Sequence, residues 1–185
     1  DSLNRKKAKL DDSILVDSRF PRLNAASMTL GDWRPYPIAP PAALIRQHGD
    51  RGLKDAQLTT NHAPSTESFY NGVWEKVIRE LTERYPKRFE EVWIYLGPIY
   101  GPNSSKLSSG IAVPDGYYAI AFDLTNEGGL RALALNIPVD GVSKNLNDYI
   151  TSIEKIEKLT GLQFLPGLDY SLRDTIGSYV SPSVW

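Results

Sequence analysis

The imidazole bases available to this chain of 185 residues are two histidines, His48 and His62. A general base works only beside an ordered acid and a nucleophile. The polar side chains that could assist either histidine are Asp50, Asn61, Asn71 and Glu75. None of these spacings matches a recognisable catalytic geometry, so His48 is interpreted as a polar residue ending a helix and His62 as a turn residue.

Other kinds of chemistry are excluded by composition and by motif. The chain has no cysteine, which excludes disulfides, thiolate metal sites and cysteine nucleophiles. It has no P-loop, GxGxxG turn, GxSxG elbow or HExxH pair. The 21 basic and 22 acidic side chains give a net charge of -1, which argues mildly against a dedicated nucleic-acid binder. No apolar run is long enough to predict a membrane-spanning helix.

Composition predicts one ordinary globular domain. The chain is 41% hydrophobic and 23% charged, and a domain of this size buries roughly 70% of its extended-chain surface. Residues 1–12 carry a cluster of Lys and Arg and are expected to form a solvated basic arm, or else to touch phosphates or an acidic partner. Residues 13–185 are assigned to a single domain. Because the chain begins at Asp1, we expect a processed product or a fragment of a longer protein.

The first half of the chain predicts helices among irregular segments. Five prolines in residues 13–41 argue against long helices and central strands. Residues 42–48 predict a short helix ended by Gly49, and residues 56–60 a short extended piece. The strongest helix signal begins at an N-cap, Ser65, and ends before Pro86. Its apolar positions recur at steps of mostly three and four residues: Trp74, Val77, Ile78, Leu81 and Tyr85.

The second half predicts an antiparallel sheet. Strands are expected at residues 92–96, 117–124 and 130–137. Gly97-Pro98 closes the first strand, a polar loop follows at 101–110, and residues 125–129 form the hairpin loop between the other two. A helix at 152–160 ends at Gly161, and the tail from Leu165 is mostly loop with one helical turn at 171–176. The fold class is therefore α+β.

A series of short motifs, in order, resembles one family. The motifs are Ile38-Ala39-Pro40, Thr60-Asn61-His62-Ala63-Pro64, Gly72-Val73-Trp74, Val92 to Pro98, Val113-Pro114, Tyr117-Tyr118 and Leu159-Thr160-Gly161-Leu162. They resemble the DNA/RNA non-specific endonucleases, the endonuclease G-like ββα-metal nucleases. The resemblance covers roughly residues 14–168. It implies a ββα-metal nuclease-like fold with a central antiparallel sheet flanked by helices. Because the family has one or two strands before the segment that matches Ser13, we expect this chain to lack those first strands.

The same alignment of motifs places the family's catalytic positions on altered residues. The position of the general-base histidine holds Pro37, or Ile38 if the alignment slips by one residue. The asparagine that binds Mg²⁺ is replaced by Tyr70, with Asn71 as the fallback ligand, and the glutamate is replaced by Ile78. Proline and isoleucine side chains neither accept a proton nor bind a metal. The resemblance therefore argues for the fold and against the family's hydrolysis.

In the family the general-base histidine follows an Asp-Arg-Gly sequence, and aligning that motif with the Asp-Arg-Gly of this chain does not restore the base. Asp50-Arg51-Gly52 is followed by Leu53, and that alignment also shortens the spacing to Asn61. The favoured hypothesis is a pseudonuclease, not an active enzyme, that serves as a structural or protein-interaction subunit of a larger complex. No cofactor is expected, and Mg²⁺ would be needed only if residual endonuclease activity survived.

A nucleic-acid binder without catalysis is the remaining alternative. Its phosphate contacts would come from four basic residues, Arg34, Arg46, Arg51 and Lys54. The other interpretation of these residues is a solvated charged face. Because the family includes exported and mitochondrial enzymes, the resemblance is compatible with both locations.

Overall fold

A computed structural model describes residues 24–125 and 128–185 of the chain. The predicted basic arm, residues 1–12, lies outside this part. The described residues form two compact units. The first contains the residues up to Thr66 together with Lys106–Val113, and the second contains Glu67–Ser105 and Pro114–Trp185.

A two-stranded antiparallel sheet organises the first unit. Strand β1 (Trp33–Pro37) pairs with β2 (His62–Thr66) in a register that runs from Trp33 opposite Thr66 to Pro37 opposite His62. Both strands of a two-stranded sheet are edge strands, where proline is tolerated because no second neighbour needs its missing N–H. The prolines exclude a central strand, as predicted, but they do not exclude β1.

Two short helices connect these strands. Helix α1 (Pro41–His48) confirms the predicted helix, with proline in its first turn and Gly49 at φ 58° after its end. Helix α2 (Asp50–Ala56) was not predicted, and its last residue, Ala56, was expected to begin an extended piece. Gly52 is buried where a Cβ atom would lie 2.0 Å from the Leu44 carbonyl oxygen, so this glycine permits the two helices to pack closely. The predicted extended piece at 56–60 is wrong, because a 3-10 turn (Thr59–Asn61) follows α2.

A kinked helical run opens the second unit. It consists of α3 (Glu67–Phe69), a wide turn (Tyr70–Trp74), α4 (Glu75–Arg79), a second wide turn (Glu80–Arg84) and α5 (Tyr85–Arg88). The predicted apolar face is confirmed, since four of its side chains are at most 2% exposed: Trp74, Val77, Leu81 and Tyr85.

The ends of this helical run differ from the prediction. Ser65 is a β2 residue and not an N-cap, because its backbone belongs to the strand pair. The run also continues past Pro86 to Arg88. Pro86 stands in the first turn of α5, directly after a wide turn, where a missing N–H costs little.

A four-stranded antiparallel sheet forms the centre of the second unit. The strands are β3 (Val92–Ile99), β4 (Gly116–Leu124), β5 (Leu130–Pro138) and β6 (Ile150–Thr151), in that spatial order. The predicted β4–β5 hairpin is confirmed, with Thr125 N–H donating to Gly129 O at 2.7 Å. Strand β3 extends through Gly97-Pro98, where it was predicted to stop. Gly97 is needed because a Cβ there would meet the Tyr118 ring at 2.5 Å.

Two helices cover the apolar side chains of this sheet. Helix α6 (Ile153–Thr160) has the predicted C-cap, Gly161, and an N-cap side chain, Ser152, that accepts the Lys155 N–H. Helix α7 (Tyr170–Ser178) is longer than the predicted turn because the Asp169 side chain caps it. Strand and helix side chains share one core: Ile99, Tyr118, Ile120, Phe122, Ile153, Ile156, Phe164 and Ile176. The predicted α+β class is thus confirmed, and within the described ranges no helix is long and apolar enough to cross a membrane.

Candidate functional site

The position expected for a general base lies at the end of β1. Pro37 is the last residue of that strand, is partly buried and stands opposite His62. Ile38, the alternative position, donates its backbone N–H to Asn61 O at 2.7 Å. Neither side chain contains a nitrogen or oxygen that could take a proton.

The side chain of Asn61 binds the backbone of Ala39, two residues after Pro37. Its Oδ1 accepts the Ala39 N–H at 2.9 Å, and its Nδ2 donates to Ala39 O at 3.1 Å and to Ala56 O at 3.2 Å. An amide side chain has one acceptor oxygen and two N–H donors. Both donors are used within the protein, so Asn61 acts here as a structural clamp between the end of α2 and the residues after β1.

His62 is the polar side chain placed beside Pro37. Residues directly opposite in an antiparallel pair project to the same face of the sheet. The His62 Nδ1 atom lies 2.9 Å from Leu58 O, so it carries the proton and leaves Nε2 as the acceptor nitrogen. Burial lowers the pKa of His62 below 6.5, against the smaller opposing effect of this hydrogen bond. The lowered pKa favours the neutral imidazole. The expectation of a turn residue is wrong, because His62 is the first residue of β2.

His48 is placed differently. It is the exposed last residue of α1, as its interpretation as a helix-end residue predicts. Asp50 begins the next helix, α2, where its charge complements the helix N-terminus. Among the described residues, His48 has no side-chain hydrogen bond that would orient it for proton transfer.

The residues expected at the metal position lie on the helical run of the second unit. Tyr70 is partly buried in the first wide turn, and Ile78 is partly buried on α4. Asn71 is exposed, and its Nδ2 donates to Glu67 Oε1 at 3.4 Å. Glu75 is also exposed, at the start of α4. Gly72 interrupts the helix with φ -98° and ψ -110°.

Tyr70 and Ile78, which stand where the family resemblance places the asparagine and the glutamate, bring neither an amide nor a carboxylate oxygen to these positions. Mg²⁺ binds through carboxylates and other oxygen ligands in near-octahedral geometry. In the part of the chain that the structure describes, no three His, Cys, Asp or Glu side chains are grouped so that they could hold a metal ion. The fallback ligand Asn71 is an exposed amide hydrogen-bonded to a carboxylate of its own helical run.

The four basic candidates belong to the first unit, and the structure defines the local partners of Arg34 and Arg51. Arg34 Nη1 donates to Gly31 O at 2.6 Å and to Trp33 O at 2.7 Å. Arg51 lies 3.8 Å from Asp55, one helical turn away on α2. Arg46 on α1 and Lys54 on α2 are exposed. The sequence prediction identified the residues but not the local partners of Arg34 and Arg51.

Two features of the candidate site were not predicted from the sequence: the hydrogen bonds of Asn61 and the pairing of His62 with Pro37. The clamp formed by Asn61 was not predicted, although the Asn61 to Pro64 segment was recognised as a motif. The pairing of His62 with Pro37 was not predicted because neither segment shows the alternation of a strand. Each segment does contain proline, which is found in edge strands but not in central strands. A pair of edge strands was therefore compatible with the sequence.

Comparisons with known proteins relate the whole arrangement to nucleases. The profile of the DNA/RNA non-specific endonuclease family matches residues 41–171, a range that begins after Pro37 and includes Tyr70 and Ile78. The mitochondrial nuclease EXOG of Mus musculus is 28% identical over 187 residues, which cover 91% of this chain and 49% of that protein. A nuclease of Nostoc sp. is 30% identical over 155 residues, covering 77% of this chain and 54% of that protein. The chain thus spans about half the length of these relatives.

A solved structure shares the fold. The crystal structure of the EndoG/EndoGI complex, which concerns the mechanism of EndoG inhibition, contains a chain that matches with a TM-score of 0.69. The match covers 87% of this chain and 73% of the other, at 17% sequence identity. At that identity the likeness supports the ββα-metal nuclease-like fold alone.

Proposed function

The chain belongs to the DNA/RNA non-specific endonuclease family, and we propose that it is a pseudonuclease within it, a structural or protein-interaction subunit of a larger complex. The observation that carries this proposal is Pro37 at the end of β1, where the family resemblance requires a histidine base. A proline cannot deprotonate the water that attacks a phosphodiester.

The second part of the proposal is the loss of metal assistance. In metal-dependent nucleases the cation offsets the charge that develops on the phosphate and the leaving oxygen. Tyr70 and Ile78 stand at the positions where the resemblance places the ligand asparagine and the glutamate. A neutral tyrosine is a poor ligand for a hard cation, and isoleucine has no ligand atom. We therefore propose no cofactor for this chain.

The contacts of the basic side chains favour a protein partner over nucleic acid, because Arg34 and Arg51 already bind groups within the chain. Phosphate binding depends on cations that are free to replace counterions. Arg34 donates to the backbone carbonyls of Gly31 and Trp33, and Arg51 is paired with Asp55. With a net charge of -1, the chain offers little long-range attraction for a polyanion.

Residual endonuclease activity is the second candidate function, and one observation favours it. His62 is a neutral, oriented imidazole opposite Pro37, and its Nε2 could accept a proton. In this hypothesis the base has moved to the neighbouring strand. Mg²⁺ would then have to be held through ligands other than the family's asparagine.

A cleavage assay distinguishes these two functions. Supercoiled plasmid and structured RNA are incubated with the folded chain and Mg²⁺ or Mn²⁺, with EDTA as the control. We expect no cleavage. Metal-dependent cleavage that disappears in His62→Ala but persists in His48→Ala would overturn the pseudonuclease proposal and establish His62 as the base.

A restoration variant tests whether the named positions account for the loss. Pro37→His combined with Tyr70→Asn returns both residues that the family resemblance requires. Cleavage gained by the double variant and absent from each single variant would support the assignment of the two positions. Interaction is tested separately by native purification from the source cells and size-exclusion chromatography. A chain that elutes as a stable monomer with no co-purifying protein would contradict the subunit role.

A further inference from the structure

Asn71 and Gly72 form the chain's single Asn-Gly sequence, and they occupy the kink between α3 and α4. Gly72 has left helical geometry, with φ -98° and ψ -110°, and a Cβ placed on it would find nothing within 4 Å. Asn71 is exposed, and its side chain makes one long hydrogen bond, 3.4 Å, to Glu67. The side-chain amide carbon of Asn71 and the backbone nitrogen of Gly72 are thus adjacent at a point where the regular helix is interrupted. No neighbouring atom crowds the position of a Cβ on Gly72.

We propose that Asn71 is a site of non-enzymatic deamidation in the folded protein. The backbone nitrogen of Gly72 attacks Cγ of Asn71, the new C–N bond closes a five-membered succinimide, and ammonia leaves. Water then opens either carbonyl of the ring, which yields aspartate or isoaspartate. No group is oxidised or reduced, and water is the only co-reactant.

The helix break is what allows this reaction without unfolding. In a regular α-helix, fixed backbone dihedrals and the i to i-4 hydrogen bonds keep the next amide nitrogen away from the side chain. The interruption at Gly72 makes Asn71 the last residue of a helical segment. The rotation about its Cα–C bond that brings the Gly72 nitrogen to Cγ therefore does not have to break a continuous helix. Glycine also offers no side chain to obstruct ring closure.

The product changes the charge of the kink. A carboxylate at position 71 loses the N–H that now reaches Glu67 Oε1 and places a second negative charge beside that glutamate. Like charges one helical turn apart destabilise a helix. The modification also introduces an acidic group next to Tyr70, the position where the family resemblance places a metal ligand.

Peptide mapping by mass spectrometry tests the proposal on the folded chain. The protein is incubated at mildly alkaline pH, digested, and the deamidated fraction is measured at Asn71 and at Asn103, an exposed loop residue followed by Ser104. We expect Asn71 to deamidate severalfold faster than Asn103, with separate aspartate and isoaspartate peptides. Equal or slower conversion at Asn71 would overturn the proposal.

Two controls identify the cause. The same incubation in denaturant removes the fold, and conversion at Asn71 that occurs only there would show that the kink protects the residue, which contradicts the proposal. The Asn71→Gln variant keeps the amide but needs a larger ring, so its conversion at this position should be lost. Because the readout is a mass change at one peptide, it is independent of nuclease activity.

Discussion

Pro37 and His62 face each other across the last pair of the β1–β2 ladder. The neighbouring residues of His62 fix this end of the ladder: Leu58 accepts from the His62 ring, and Asn61 binds the backbone of Ala39. The proton acceptor at this end of the strand pair is therefore on the strand opposite the one where the family resemblance requires it. This arrangement makes His62 the most informative single residue for substitution.

Stability should fall as the pH drops below 6.5, the ordinary pKa of histidine, because of His62. Burial lowers the pKa of His62 in the folded chain, so the unfolded chain binds more protons in this range. The contribution is present above the unfolded pKa and is lost as the pH falls through the lower, folded value. Urea unfolding at a series of pH values should show a shallower pH dependence for His62→Gln than for the unsubstituted chain. A Ser108→Ala control should keep the original dependence, and identical profiles for His62→Gln and the original chain would contradict this account.

Asn61→Ala should destabilise the first unit through its backbone contacts. The substitution removes three hydrogen bonds and leaves the partly buried Ala39 and Ala56 groups without their amide partner. We expect a loss of about 2 kcal/mol in the free energy of unfolding. Asn71→Ala is the matched control, because its single long hydrogen bond is exposed, and it should cost no more than about 0.5 kcal/mol. Equal effects of the two variants would show that Asn61 is not a clamp.

Gly52→Ala should disrupt the packing of α1 against α2. Its Cβ would lie 2.0 Å from the Leu44 carbonyl oxygen, and a backbone atom cannot move aside as a flexible side chain can. We expect a destabilisation of about 2 kcal/mol or more, measured by thermal or urea unfolding. Gly167→Ala is the control, since a Cβ there meets nothing within 4 Å, and it should be neutral or slightly stabilising. If Gly52→Ala unfolds at the original midpoint, the close approach is wrong.

Arg131→Leu should destabilise the second unit more than loss of a surface ion pair would. Arg131 binds the buried Asp123 through two nitrogens, and its guanidinium lies 4.3 Å from the Phe89 ring centre and 4.5 Å from that of Trp185. Removing it leaves Asp123 charged and buried, with an expected cost of about 2 kcal/mol because Arg131 is itself partly exposed.

The control for this prediction is the exposed pair Arg84–Glu80. Arg84→Leu should change the free energy of unfolding by less than about 1 kcal/mol. Adding Asp123→Asn to Arg131→Leu should recover part of the lost stability, because the second change removes the unpaired charge. If the double variant is no more stable than Arg131→Leu, charge burial is not the cause.

Much of the second unit could be predicted from the sequence because its signals are local. The apolar positions from Trp74 to Tyr85 have helical spacing, and four of them are buried in the structure. This spacing is visible in the local sequence alone. The β4–β5 hairpin has two apolar runs separated by a short glycine-containing loop. Gly161 ends α6 in the left-handed conformation predicted for it.

The strand pair that bears the candidate site could not be predicted in this way. The sequence alone determined which residue types are present: no cysteine, two histidines, and Pro37, Tyr70 and Ile78 at the positions that the family resemblance assigns to catalysis. Only the tertiary structure placed His62 opposite Pro37 and turned Asn61 towards Ala39. The physical reason is that residue chemistry is fixed along the chain, whereas β1 and β2 are stabilised by hydrogen bonds between segments separated by two helices. Such pairing leaves no periodic signal in either segment.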